Sequence, residues 1–204
     1  MDNERLTLHA IRQRLAGHAP QKLAVGDHRQ AAVAMILRQR GEEVELLMIE
    51  RARREGDPWS GQMGFPGGML ESSDRDPQSA AERETLEEVG LTLTGRSYLG
   101  RIDDIQGRHR GHLSGIVVSA FVYVINCEFE PTLNYEVRKV LWVPLDVFSE
   151  HERAVEVRHP IAPEERFPGI RVSADPNQVV WGLSRRFLAT FFRVLDTDMI
   201  FIDQ

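Results

Sequence analysis

The stretch ERETLEEVG, residues 82–90, sets Glu82, Glu84, Glu87 and Glu88 within seven positions. In a helix, Glu84, Glu87 and Glu88 stand at i, i+3 and i+4 and share one face. Like charges at that spacing oppose helix formation by roughly 0.2–0.5 kcal/mol per pair. The flanking residues nevertheless predict a helix. Asp76 suits the cap, Pro77 the first helical position and Gly90 the left-handed stop. Ala80, Ala81, Thr85 and Val89 offer a side that can be buried. An acidic face of this kind has three readings: a solvated surface, a carboxylate pair for acid–base work, or a seat for a hard divalent cation that bridges protein carboxylates to phosphate oxygens.

The residues just upstream favour the third reading. FPGGM, residues 65–69, leads into the acidic helix through a short connection. Gly67 and Gly68 allow close backbone approach to a ligand and can offer carbonyl oxygens to a metal. Arg83 can pair with one of the carboxylates and hold its rotamer. A rigid glycine turn before three carboxylates on one face suits a metal–diphosphate site better than a plain surface.

Further from this centre, the apolar runs Ala31–Leu37 and Val44–Ile49 flank a glycine-containing turn and predict a hairpin. Residues 54–68, rich in glycine and proline, predict a loop. GHLSGIVVSAFVYVINCEF, residues 111–129, is apolar and β-branched, as a central strand is. The single cysteine, Cys127, falls in that run and is expected to be a buried thiol. RKVLWVPLDVF, residues 138–148, predicts a strand followed by a turn or short helix after Pro144. A helix is expected near residues 4–17, with Leu8, Ile11 and Leu15 on one side. A second, over 183–195, follows a short strand and repeats Leu183, Phe187, Phe191 and Leu195 at helical spacing. Strands and helices intermixed in this way indicate an α/β sandwich on a mixed sheet. No linker separates two cores, so residues 1–204 are expected to form one domain.

Composition narrows the function. The net charge of −6 argues against general nucleic-acid binding, though not against a small anion held through a metal or a local basic patch. One cysteine excludes an internal disulfide framework and a cysteine-based zinc site. No apolar run is long enough to span a membrane, and the N-terminus has no signal-peptide core, so the cytoplasm is the expected location.

Arg83-Glu84-Thr85-Leu86-Glu87-Glu88-Val89-Gly90-Leu91, with the glycine pair upstream, resembles the signature of the Nudix hydrolases. Thr85 stands where that signature has an apolar residue. Fourteen residues separate Gly68 from Arg83, one more than in the pattern, which makes Asp74 the upstream acid. The longer connection, and Gly61-Gln62-Met63-Gly64-Phe65-Pro66-Gly67-Gly68 before it, resemble the coenzyme A diphosphatase branch. In the lead-in Leu47-Met48-Ile49-Glu50-Arg51-Ala52, Ile49 replaces that branch's threonine.

The resemblance implies a Nudix-type α/β/α sandwich that hydrolyses a diphosphate linkage with Mg²⁺ or Mn²⁺. It implies Glu84, Glu87 and Glu88 as metal ligands, with the Gly68 carbonyl as a further one. Arg83 would orient the carboxylates, and Asp74 would act as a helper near the helix start. The general base stays open between a glutamate of the cluster and Glu136, which precedes a strand. Arg51, Arg53 and Arg54 are candidates for substrate phosphates and Trp59 for stacking on a base. His112, which shares a basic stretch with His109, is a candidate for lining the substrate. The expected substrate is a small nucleotide diphosphate: CoA or an acyl-CoA first, then ADP-ribose, a nucleotide sugar or a nucleoside triphosphate. A non-catalytic nucleotide-sensing module is the reading from another class. The resemblance also implies a homodimer.

Overall fold

The structure is a computed structural model and describes residues 6–56, 59–109, 112–159 and 162–199. In chain order the elements are α1 (Leu8–Gly17), β1 (Arg29–Arg40), β2 (Glu43–Arg51), β3 (Met63–Gly64), β4 (Gly67–Met69), α2 (Pro77–Val89), β5 (Tyr98–Arg101), β6 (Ile105–His109), β7 (His112–Ile125), β8 (Val137–Pro144), a 3₁₀ stretch Leu145–Ser149 and a single 3₁₀ turn His151–Arg153. Then come β9 (Ala154–His159), β10 (Ala162–Arg171), β11 (Val179–Trp181) and α3 (Gly182–Val194).

Eight strands form the main sheet among the described residues, with β3-β2-β1-β7-β5 as its path; β4 joins β1, β6 joins β7 and β8 joins β2. β1 and β7 run parallel, in register from Arg29↔Ile116 to Arg38↔Ile125, and the other pairs are antiparallel. The expected mixed sheet is therefore present. Its two faces follow from strand alternation. Ala32, Ala34, Ile36, Leu47 and Ile49 face α2, where Ala80, Ala81 and Val89 meet them. Alanines on both sides let the helix lie close to β1. Met35, Leu37, Leu46 and Met48 face the other way, toward Ile11 and Leu15 of α1 and Phe187, Leu188, Phe191 and Phe192 of α3. The result is an α/β/α sandwich.

β1 and β2 pair only between Leu37–Arg40 and Glu43–Leu46, and then diverge. The segment 63–69 fills the opening. Met63 and Gly64 pair with Glu50 and Ile49, while Gly67–Met69 pair with Val33–Ala31. Two further bonds, Ala34 N–H to Pro66 O at 2.8 Å and Leu70 N–H to Gln30 O at 2.9 Å, complete the seam. Gly67 has φ +153°, and a Cβ there would lie 2.2 Å from the Ala32 carbonyl oxygen. Only glycine fits at this point.

Several expectations need correction. The loop read over residues 54–68 contains β3 and the start of β4, because the diverging strands supply partners that local composition does not announce. Cys127 is exposed, since it lies beyond the end of β7 at Ile125. The first helix begins at Leu8, capped by the Thr7 side chain on Ala10 N–H at 3.2 Å; Glu4 and Arg5 lie outside the described residues. Within the basic stretch, Ile105–His109 form β6 and pair antiparallel with the start of β7 at His112. β9 and β10 were not foreseen; with β11 they make a separate three-stranded antiparallel sheet in the order β11-β10-β9.

Gly67→Ala should lower the unfolding free energy by at least about 2 kcal/mol, through backbone strain and the clash with Ala32. Chemical denaturation measures this; a variant as stable as the wild type would mean that segment 63–69 is not threaded between β1 and β2 as described.

Candidate active site

α2 begins with Asp76 accepting the Ser79 N–H at 2.8 Å, while the Ser79 hydroxyl reaches back within 3.1 Å of Asp76 N–H. It ends at Gly90, left-handed at φ 77°. The predicted boundaries and caps are both present. The buried side holds Ala80, Ala81, Thr85 and Val89, as expected, and also Glu88. Thr85 fits the apolar environment because its hydroxyl donates to the Ala81 carbonyl at 2.7 Å within the helix.

The three glutamates occupy graded environments. Glu88 is 2% exposed, the Glu84 side chain is 18% exposed, and that of Glu87 is 53% exposed. Glu88 accepts the Gly67 N–H through Oε2 at 2.9 Å. That bond joins the acidic helix to the threaded segment. Burial pushes the Glu88 carboxyl up to about 7, against the opposing pull of the Gly67 N–H; Glu84 and Glu136 raise it further and Arg51 lowers it. Burial also raises Glu84, opposed by Arg83 and assisted by the charges of Glu87 and Glu136.

Arg83 acts as the clamp. Its Nε and Nη2 take both oxygens of Asp74, at 3.1 and 3.0 Å. Nη2 also donates to the Met69 carbonyl at 3.1 Å, and Nη1 to Glu84 at 3.0 Å and Glu87 at 3.2 Å. Asp74 is almost fully buried and is held below the usual carboxylate range, chiefly by the hydrogen bond from Arg83. Only a planar guanidinium can satisfy so many acceptors at fixed angles. The fourth acid of the stretch, Glu82, belongs elsewhere: it accepts from Tyr123 at 3.1 Å and Gln78 at 3.0 Å, against the sheet.

Of the other predicted residues, Arg51, Arg54 and Glu136 stand about this face. The charge of Arg51 acts on Glu88 from the end of β2. Arg54 pairs with Glu136 at 3.6 Å and stacks over Tyr135 with its guanidinium carbon 4.7 Å from the ring centre. The charge of Glu136 is felt by both Glu84 and Glu88, which brings it into the cluster. Sequence reading missed Asn134, whose N–H donates to the Glu88 carbonyl at 3.2 Å and whose side chain accepts the Glu136 N–H at 2.8 Å. An asparagine two residues before an acid is the local signal of such a turn. Arg53 lies against Gly61. Trp59 sits 6.5 Å from Trp181, ring centre to ring centre. The backbone of His112 opens β7 opposite His109; both side chains lie outside what the structure describes.

Among the described residues, no three His, Cys, Asp or Glu side chains are already gathered as a metal cage. Arg83 and Gly67 N–H hold one oxygen each of Glu84, Glu87 and Glu88. The donor set still fits a hard divalent cation. It is all oxygen, with one carboxylate buried and another half-buried. A Cβ on Gly68 would fall 2.2 Å from Glu84 Oε1, so the Glu84 carboxylate can lie against this backbone only because residue 68 is glycine.

The NUDIX domain family profile matches residues 27–164, which include the threaded glycines, α2 and Glu136. The chain belongs to the Nudix family. A NudL protein of Citrobacter koseri, described as an uncharacterized Nudix hydrolase, is 29% identical and aligns over 72% of this chain and 81% of its own. An uncharacterized Schizosaccharomyces pombe protein is 27% identical over 78% of this chain and 54% of its own length. The chain thus spans about half of that yeast relative. The crystal structure of a MutT/nudix family protein from Enterococcus faecalis superposes with a TM-score of 0.57 at 16% identity, covering 94% of this chain and 70% of that one. This likeness supports the Nudix fold described above.

In this Nudix site the folded protein holds the Glu88 proton more tightly than the unfolded chain does, with pKa about 7 against 4.5. The associated stability is complete below the unfolded value and is lost as pH rises through the folded one. In EDTA, the thermal midpoint of the wild type should therefore fall more steeply than that of Glu88→Gln between about pH 5 and pH 8. Parallel curves would show that Glu88 is not buried as a carboxylic acid. Arg83→Lys keeps the charge but loses the fork, and should weaken Mn²⁺ binding by about 10–100-fold in a calorimetric titration; unchanged affinity would remove Arg83 as the clamp.

Proposed function

We propose that this protein is a Mg²⁺- or Mn²⁺-dependent Nudix diphosphatase that hydrolyses CoA or acyl-CoA to 3′,5′-ADP and a phosphopantetheine product. The observation that carries the proposal is the pair of carboxylates, Glu88 buried and Glu84 half-buried against the Gly68 backbone, both raised in pKa. Glu84, Glu87, Glu88 and the Gly68 carbonyl would hold the metal. When bound, a divalent ion neutralises the diphosphate and activates water.

The residues of the chain prepare the rest. Arg83 fixes the rotamers of Glu84 and Glu87 from the Asp74 anchor, so the acidic face needs little reorganisation when substrate arrives. Glu136 is the proposed general base. It stands on a turn set by Asn134, within the field of the cluster, and Arg54 holds its carboxylate. Arg54 and Arg51 can also meet phosphate oxygens, which makes Arg54 a group shared between base and substrate. Water adds across the P–O–P bridge, and each product keeps one of its two phosphates; 3′,5′-ADP also keeps the 3′-phosphate. The lead-in from Gly61 to Gly68, together with these arginines, supports CoA as the substrate, since its 3′-phosphate needs a basic partner.

With Mg²⁺ and separate pools of CoA, ADP-ribose, nucleotide sugars and nucleoside triphosphates, CoA should be consumed fastest, and faster than dephospho-CoA. Glu87→Gln should lower turnover by at least about a hundredfold while leaving the fold intact by circular dichroism. Preference for another pool would replace CoA as substrate, and turnover of none would favour a nucleotide-sensing module.

A further inference from the structure

Gly169 sits in the middle strand of the small sheet, paired with Val155 on β9 and Trp181 on β11. A Cβ there would meet Val179 at 2.7 Å and Val157 at 2.9 Å. The missing side chain lets these valines close over the strand, and a hollow opens beside them on one face of the sheet. Alternation puts Val155, Val157, Phe167, Arg171, Val179 and Trp181 on that face. The opposite face carries Ile170 and Val180, both fully buried in the core against α3. The hollow therefore lies on the outward side, where an antiparallel sheet facing water is ordinarily polar. Here it has a valine floor and a tryptophan wall.

Gly61 and Gln62 close the hollow into a cleft of about 420 Å³, which Arg171 and Asn177 also line; Glu156 and Arg158 border it from β9, where alternation turns their side chains to the other face. That volume falls in the range of small-molecule sites. The charge inside is positive. Glu156 is the one acid of the lining, and it is paired with Arg166. Arg171 Nε is buried and finds no hydrogen-bond partner among the described residues, an arrangement that costs stability unless a ligand supplies an acceptor. Trp181 continues into an aromatic row, with Phe167 at 5.3 Å and Trp59 at 6.5 Å between ring centres.

The cleft is joined to the acidic site. Gly61–Gln62 and Gly67–Gly68 are the two ends of one short segment, and the Gln62 carbonyl accepts the Arg51 N–H at 3.0 Å. On β2, Glu50 points to the small-sheet side, where it accepts from Gln178 Nε2 at 2.9 Å; the next residue, Arg51, acts on Glu88. Arg171, Asn177, Val179 and Trp181 all lie beyond residue 164, outside the matched NUDIX domain.

We propose that this cleft is a second binding site that takes a phosphorylated nucleoside, with its phosphate on Arg171 and its heterocycle against Trp181. The assignment of that nucleoside as the 3′-phosphorylated end of the substrate, joined to the scissile bridge through its 5′-oxygen, rests on the diphosphatase reading above. The guanidinium group supplies the charge-assisted donors that a phosphate dianion takes, and an indole wall supplies the stacking surface for a base.

The test uses 3′,5′-ADP as probe, titrated in EDTA against tryptophan fluorescence and by calorimetry. The wild type should bind with quenching, and Arg171→Gln should weaken binding by about tenfold, with its thermal midpoint showing that the variant folds. 5′-AMP, one phosphate poorer, should bind more weakly. Absence of binding, or equal affinity in wild type and Arg171→Gln, would overturn the cleft. The hydrolysis screen separates the two readings. CoA turnover with an unchanged KM in Arg171→Gln would remove the cleft and leave the diphosphatase standing. Arginine-dependent binding of 3′,5′-ADP without turnover of any pool would keep the cleft and remove the diphosphatase.

Discussion

The site depends on one close approach of backbone to backbone. Segment 63–69 can lie between the diverging strands β1 and β2 only because Gly67 has no side chain to strike the Ala32 carbonyl. Once there, the Gly67 N–H points at Glu88, and its neighbour Gly68 lies under Glu84. The sheet thus places the glycine turn, and the turn determines where the buried end of the acidic face must sit. α2 is brought in from its other side by Ala80 and Ala81, which meet Ala32 and Ala34 across the sheet. Small side chains at both contacts make the distances short, and short distances leave few alternative arrangements.

The electrostatics follow from this packing. A helix with Glu84, Glu87 and Glu88 on one side would ordinarily let all three reach water. Here packing buries one, half-buries another and leaves the third exposed. Desolvation raises the two inner carboxyls, while Arg83, locked by Asp74 and the Met69 carbonyl, draws on the two outer ones. The arrangement keeps negative charge concentrated but positioned. Such a balance is costly for a structural element and useful for a group meant to receive a cation and an anionic substrate together.

Strand alternation extends the same logic across the sheet. At the end of β2, Glu50 turns to the small sheet and Arg51 to the acidic helix. A single pair of neighbouring residues therefore ties two regions on opposite faces, one inside the matched Nudix domain and one that runs across its end. The small sheet attaches to the core by one face, and the cleft opens on the other.

Much of this was legible in the chain itself. The caps Asp76 and Gly90, the hairpin of β1 and β2, the central strand β7 and the aromatic stripe of α3 are local signals, because caps, turns and periodicity act over a few residues. The carboxylate spacing and the glycine pair likewise pointed to the site. The depth of Glu88, the anchoring of Arg83 on Asp74, the Asn134 turn beneath Glu136 and the pairing of segment 63–69 were decided by tertiary contacts. So were the exposure of Cys127 and the whole of the small sheet, whose strands 154–171 mix charge, proline and valine without a clean alternation. Residue type and spacing determined which groups could do chemistry. Which of them were buried, and hence how strongly each holds its proton or awaits a partner, came from neighbours distant in sequence, because desolvation and long-range pairing exist only once the chain has packed.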